Sequence, residues 1–466
     1  MSAAPTAGLS ALANRLVAQV LGVVRGRPGS VMILFTAATL LLRLASNATL
    51  TRILPPYVFG VMGVIASAMV ILTMLSDLGY ASFVIRHERG DDPRFIDVTW
   101  TIRLGQSVLQ AIAMVLLAAP FAAMLGKDWL THPIASCAPV FVLNALCPMS
   151  LLVAQRHGRV KMVGAIELGA LIVQIALNVG LATVFMDYRA LIVGLYAGAL
   201  TRIGLALFLL RPMPRLSFER ALATEFFGFS RIIMVSSILT LLITQADKVL
   251  FARLFPMPTF AVYAMATNLA LSTQPFGRNY VQNYFFPLVS RVWREAPDTI
   301  AHIFYRGRGR AYRLLFAGFG FATGFAPVMF AILFDWRYEY GWVFMSVLMV
   351  RCALDLDSFI GSQTLMAMGF TATTLRANVL RLILFAVAVA GLFRPVGPIA
   401  LPLALAIAEA GAAIYIGWLL HRHRIFKPRL HAAYAVIFVA AFAAGGAISM
   451  LAFPGKTIEG LARMGR

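Results

Sequence analysis

A chain of 466 residues that is 60% hydrophobic and only 13% charged, with a mean hydropathy of +0.83, is not a soluble globular protein, whose surface needs about a quarter of its residues charged. The formal net charge of +21 would suit nucleic acid, but Lys and Arg fall mostly in alternate loops between apolar runs, the pattern that orients a chain in a bilayer. The composition therefore predicts an all-α polytopic membrane protein with no nucleic-acid partner.

Residues 1–29 carry Arg15, Arg25 and Arg27, no acid, and a weakly amphipathic Leu9 to Val24. That start reads either as a transit peptide or, more plainly, as a cytoplasmic helix on the membrane surface. At about 20 apolar residues per crossing, thirteen spans are expected, centred near residues 41, 69, 114, 144, 174, 200, 240, 268, 324, 354, 386, 408 and 443. The tenth carries three charges and the eleventh is short. Roughly 27 of the 40 Lys and Arg lie in one alternate set of segments, which puts the N-terminus in the cytoplasm and, with an odd span number, the C-terminus outside.

The domain reading follows from these spans. It comprises a cytoplasmic N-terminal segment (1–29), an N-lobe of six spans (30–211), an inter-lobe linker (212–227), a C-lobe of six spans (228–420) and an additional C-terminal span (431–454). Within the C-lobe, segment 277–313 mixes Phe285, Phe286, Val289, Val292 and Trp293 with Arg291 and Arg294, which fits an interfacial helix rather than a catalytic domain. The outer loops are too short to shape an enzyme's aqueous site.

Two hairpins repeat. Arg52-Ile-Leu-Pro-Pro-Tyr-Val-Phe59 returns as Arg253-Leu-Phe-Pro-Met-Pro-Thr-Phe260, with arginine, proline and aromatic at matching spacing, so the chain reads as two related halves. The first hairpin with its following Asp77-Leu78-Gly79, together with Gln245-Ala-Asp-Lys-Val-Leu in the second half, resembles the polysaccharide-transporter (Wzx-type) flippases of the multidrug/oligosaccharidyl-lipid/polysaccharide exporter superfamily. The resemblance implies two pseudo-symmetric six-helix lobes around a central cavity. The thirteenth span departs from the family's usual twelve, or sometimes fourteen. The resemblance also implies a polyprenyl-diphosphate-linked oligosaccharide as substrate, carried across a bacterial inner membrane for exopolysaccharide or O-antigen assembly, with membrane lipid and the pathway's polymerase and chain-length proteins as partners.

Charge inside a span costs roughly 2.5–3.5 kcal/mol at a helix centre, so each instance marks a functional candidate. The candidates are Arg43, Asp77, Glu167, Arg202, Asp247, Lys248, Arg351, Asp355, Asp357 and Glu409. Thr36, Thr39, Arg43, Ser46 and Asn47 share one helical face; Thr240, Thr244, Asp247 and Lys248 share another; Glu167, Gln174 and Asn178 form a third. Arg43, Asn47, Arg202, Lys248 and Arg351 are the substrate-binding candidates, suited to an anionic diphosphate. Asp247, Glu409 and Asp77 are the ion-coupling candidates, Glu409 because no basic residue lies within a turn of it. Each also has a structural reading: interhelical glue for the stripes, mutual neutralisation for Arg351 and Asp355 at i and i+4, a cap or a partner such as Arg86 for Asp77, and Asp247 as local partner of a snorkelling Lys248.

No nucleophile–base pair, phosphate-cradling loop, metal motif or ATP signature appears, so neither catalysis nor a cofactor is expected. Cys137, Cys147 and Cys352 lie in apolar spans without ligand spacing, against both a disulfide framework and a zinc site. Rival functions are a lipid II flippase, a drug or ion antiporter of the same superfamily, and a non-transporting scaffold of a polysaccharide assembly complex. A cavity rich in arginine and lysine argues against the antiporter, which needs acids.

Overall fold

The computed structural model describes residues 28–210, 213–370 and 372–452; the amphipathic segment expected over 1–29 lies almost wholly outside them. The described residues contain no strand, as expected of a chain whose backbone must satisfy its own hydrogen bonds in lipid. Each expected span centre falls in a helix: α1 (Pro28–Ile53), α2 (Pro56–Leu75), α3 (Pro93–Met124), α4 (Pro139–Leu146), α5 (Val160–Phe185), α6 (Tyr188–Leu209), α7 (Arg220–Leu254), α8 (Met257–Leu271), α9 (Ile300–Leu333), α10 (Gly341–Ala367), α11 (Ala372–Val396), α12 (Ala400–Arg422) and α13 (Pro428–Ala452).

Eight helical stretches among the described residues are long and apolar enough to cross a membrane, with α11 and α12 counted as one. Outside that set are α1, α7, α10 and α8, of which α10 carries three in-span charges and α8 has only 15 residues. The fourth expected span is broken into Thr131–Ser136, α4 and Ser150–Arg156. Pro139 opens α4 and Pro148 lies in the gap after it, where a residue without an N–H cannot continue a helix.

Segment 277–313 is largely helical. Helix Phe286–Glu295 buries Val289 and exposes Arg291 and Arg294, and α9 runs on from Ile300 through a break at Gly309 (φ 46°, ψ −150°).

By contacts the chain forms two compact units. One holds residues up to Ser46 with Ser76–Val115 and Ser136–Met234; the other holds Asn47–Leu75, Leu116–Ala135 and Val235 onward. This division by packing does not coincide with lobes drawn at 30–211 and 228–420. In the first unit α5 lies on α6, and Gly194 and Gly198 of α6 let Asn178 and Gln174 of α5 close in: a Cβ on Gly194 would sit 1.7 Å from Asn178 Oδ1. The Glu167–Gln174–Asn178 stripe is thus partly interhelical glue.

The second unit contains both copies of the hairpin repeat, and their second helices pack together. A Cβ on Gly60 of α2 would lie 2.5 Å from the Met257 carbonyl of α8, and Gly63 faces Phe260. Phe59 and Phe260, the matching aromatics, are both buried. The prolines of the motif explain a further set of contacts. Pro55 has no N–H to offer the Thr51 carbonyl four residues back, and Pro256 leaves the Ala252 carbonyl in the same position.

Each orphaned carbonyl is met from the other half of the repeat. Arg337, after α9, donates from Nη2 to Thr51 O at 2.9 Å. Lys127, after α3, donates from Nζ to Ala252 O at 2.5 Å and to Phe255 O at 3.4 Å. The motif arginines return the contact: Arg52 donates to Ile332 O in the last turn of α9, and Arg253 to Met124 O in the last turn of α3. Last-turn carbonyls have no partner within their own helix, so the four cations cap four helix ends reciprocally. Burial, with Arg253 nearby, holds the Lys127 ammonium below the usual lysine range.

Helix α13 is docked along α9 rather than appended loosely. A Cβ on Gly320 or Gly324 would sit 2.2 Å from the Phe438 or Phe442 carbonyl, and Ser449 donates to Gly324 O at 2.8 Å. At its start, His431 Nε2 lies 2.8 Å from Asp357 Oδ2, and Asp357 also accepts from Arg308 Nη1 at 3.0 Å and from the Tyr312 hydroxyl. The Arg308 side chain is fully buried, so this cluster fixes α9, α10 and α13 together.

Candidate functional site

Arg43 is exposed on α1, near the middle of a 26-residue helix, with no ion pair or hydrogen bond among the described residues. Asn47, one turn on, is half-buried and shares its face. Arg202 is instead bound: its Nη2 lies 2.6 Å from Glu167 Oε1, between α6 and α5. The two in-span charges of the first half that sequence left separate therefore neutralise one another, which corrects the reading of Arg202 as an unpaired cation.

In the second unit the seventh helix is also rearranged from expectation. Asp247 is buried and accepts from the Tyr263 hydroxyl of α8, whereas half-buried Lys248 has no ion pair among the described residues. The expectation that the adjacent Asp247 pairs with Lys248 is corrected: neighbours in a helix point about 100° apart, and Tyr263 takes the carboxylate. Arg351 and Asp355 do not neutralise each other either. Asp355 accepts from Arg278 Nη2 at 2.9 and 3.1 Å and from Gln274 at 3.3 Å.

Glu409 is not the isolated carboxyl that its own helix suggests. Arg381 of α11 reaches it with Nε at 3.0 Å and Nη2 at 2.6 Å, and Ser358 of α10 donates at 2.6 Å. Arg381 lies inside α11 with its side chain 13% exposed. A buried carboxylate requires a buried partner, but the spacing along its own helix does not name it. Arg351, Arg381 and Glu409 line one narrow pocket, with Leu242, Leu382, Phe385 and Leu405 among its apolar walls and a cavity volume of about 20 Å³.

Asp77 lies past the end of α2, where its Oδ1 accepts from Gly79 N at 2.9 Å. Gly79 adopts φ 66° and precedes a short helix, Tyr80–Arg86, so Asp77-Leu78-Gly79 is a turn closed by its own carboxylate. Arg86, its suggested partner, has a side chain outside the described ones. The Arg308–Asp357–His431 cluster is made across three helices, and the in-helix spacing that singles out Asp357 does not name its partners. Among the described residues no group of acids, histidines and cysteines is placed to hold a metal ion.

No curated protein matches the chain in sequence. Among solved structures, its fold is similar to that of the lipid II flippase MurJ in an inward closed conformation. The TM-score is 0.65 at 12% identity, covering 93% of this chain and 97% of that one. It is also similar to an inward-facing multidrug resistance transporter of the MATE family, in the MOP superfamily, with a TM-score of 0.57 at 16% identity, covering 86% and 98%. Both likenesses concern the fold, an all-helical multi-pass membrane transporter fold. The model of a family of polysaccharide biosynthesis proteins matches residues 49–308, more than half of the chain, and includes both hairpin motifs. With more than half of its length matched, the chain belongs to this polysaccharide biosynthesis family.

Proposed function

We propose that this protein is a flippase that moves a polyprenyl-diphosphate-linked oligosaccharide from the cytoplasmic to the outer leaflet of a bacterial inner membrane, for exopolysaccharide or O-antigen assembly. Family membership supports a role in polysaccharide assembly, and the fold supports transport. The observation that carries the reading is Arg43, an uncompensated cation partway along a membrane helix. Such a charge is costly unless it meets an anion or water, and a diphosphate offers the forked acceptor geometry that a guanidinium fits. Asn47, Arg202, Lys248 and Arg351 remain the further candidates from the sequence, and paired Arg202 would act indirectly, through Glu167.

In the proposed cycle the N-terminus is cytoplasmic, the basic inner surface draws in the anionic head, and the two lobes, bounded as the sequence suggests, rock about the substrate while its lipid tail stays in the bilayer. The reciprocal caps at the hairpins would hold one end of the repeat shut and would have to open once per cycle. A strain depending on this protein for polymer export tests the assignment. Arg43→Lys, which keeps charge but loses the fork, should retain partial export, and Arg43→Ala should abolish it. Normal export by a stably expressed Arg43→Ala protein would remove Arg43 from the site.

A further inference from the structure

The pocket between α7, α10, α11 and α12 holds an unresolved charge. Arg351 Nε is buried without a hydrogen-bond partner, and the guanidinium is in no ion pair among the described residues. Three carboxylates lie within electrostatic reach of it, Asp247, Asp355 and Glu409, and all are engaged elsewhere: Asp247 by Tyr263, Asp355 by Arg278, Glu409 by Arg381 and Ser358. Around these carboxylates stand Arg278, Arg381, Lys248 and Arg351 itself, one cation more than there are acids. Water can satisfy an N–H, but it cannot neutralise a buried charge.

We infer that this pocket binds one small monovalent inorganic anion, of the chloride class, against the Arg351 guanidinium. The pocket's size and walls select the class. At about 20 Å³ it is too narrow for a sugar, and apart from Arg351, Arg381 and Glu409 its lining is apolar, which suits a weakly hydrated ion. Phosphate needs several donors at once, and the second guanidinium is already committed: Arg381 Nε and Nη2 go to Glu409 and Nη1 to Asn378 Oδ1 at 2.7 Å. A bound anion would leave the Arg381–Glu409 pair intact and bring the cluster to neutrality. The inference is independent of the flippase reading, since it concerns the purified protein and not export.

The test uses the full chain purified in detergent, with radiolabelled chloride binding and thermal unfolding measured in sodium chloride and in sodium gluconate at equal ionic strength. Wild type should bind about one chloride per chain and show a saturable rise in its unfolding midpoint with chloride. Arg351→Gln should bind none and lose the chloride dependence, while being no less stable than wild type in gluconate, because the excess charge is gone. Arg351→Lys should keep binding at reduced affinity. Absence of chloride-specific binding in wild type, or equal binding by Arg351→Gln, would overturn the inference. So would stoichiometric displacement of chloride by inorganic pyrophosphate, which would assign the cation to a diphosphate site instead.

Discussion

The reciprocal caps of the hairpin repeat allow a quantitative prediction. Arg337→Met keeps the length of the side chain but removes the donor that reaches Thr51 O at 2.9 Å. Thr51 is fully buried, and Pro55 cannot supply a replacement, so the carbonyl is left unsatisfied at a cost of about 1–3 kcal/mol. If the contact exists only while that end of the repeat is shut, the closed-to-open ratio falls by roughly 5- to 150-fold. Leu54 lies three residues beyond Thr51 and is completely buried, so Leu54→Cys in a cysteine-free background reports opening through its maleimide labelling rate. Arg337→Met should accelerate that labelling by the same factor. Asp335→Asn, which weakens only the Arg337–Asp335 pair at 2.9 Å, should leave it nearly unchanged. A labelling rate within twofold of the parent in Arg337→Met would refute the idea that this hydrogen bond holds the end closed.

Other consequences are equally accessible. Lys127→Met removes the mirror-image cap and should act additively with Arg337→Met, because the two caps share no partner. Asp357→Asn strands a fully buried Arg308 and should lower stability by about 3–5 kcal/mol, seen as a fall in the unfolding midpoint in detergent. Gly324→Leu would drive a side chain into the Phe442 carbonyl, so it should undock α13 and open the segment around Arg424 to protease. For topology, Asp128 and Arg159 are exposed and lie in loops expected on opposite sides of the membrane. Asp128→Cys should react with an impermeant maleimide in intact cells and Arg159→Cys should not, and the reverse result would invert the proposed orientation.

Helix positions were legible because hydropathy alone dictates them: in a bilayer the backbone has few alternatives to a helix. The hairpin repeat was legible as a pattern, but its meaning lay in the prolines, whose effect is felt four residues upstream and answered from a distant part of the chain. The charges show the limit more sharply. Arg43 keeps the unpaired state that its sequence neighbourhood suggests, whereas Arg202, Glu409 and Asp355 are each paired from another helix, at Glu167, Arg381 and Arg278. Sequence reveals neighbours at i±3 and i±4 along a helix, but ion pairs inside a bundle are made across helices, and nothing in the spacing of Glu409 points to Arg381.

The exchange of caps between the halves also bears on ancestry. A chain with only one half would carry a proline-orphaned carbonyl and a cation with nothing to hold, and two copies facing each other about a two-fold axis would satisfy both, since an isologous contact is by nature reciprocal. Such a dimer, once fused into one chain, would be free to diverge wherever the two sides need not be identical. The caps fit that picture: one half supplies Arg337 and the other Lys127, so what the two halves share is a positively charged donor at a corresponding place, and not the side chain that bears it.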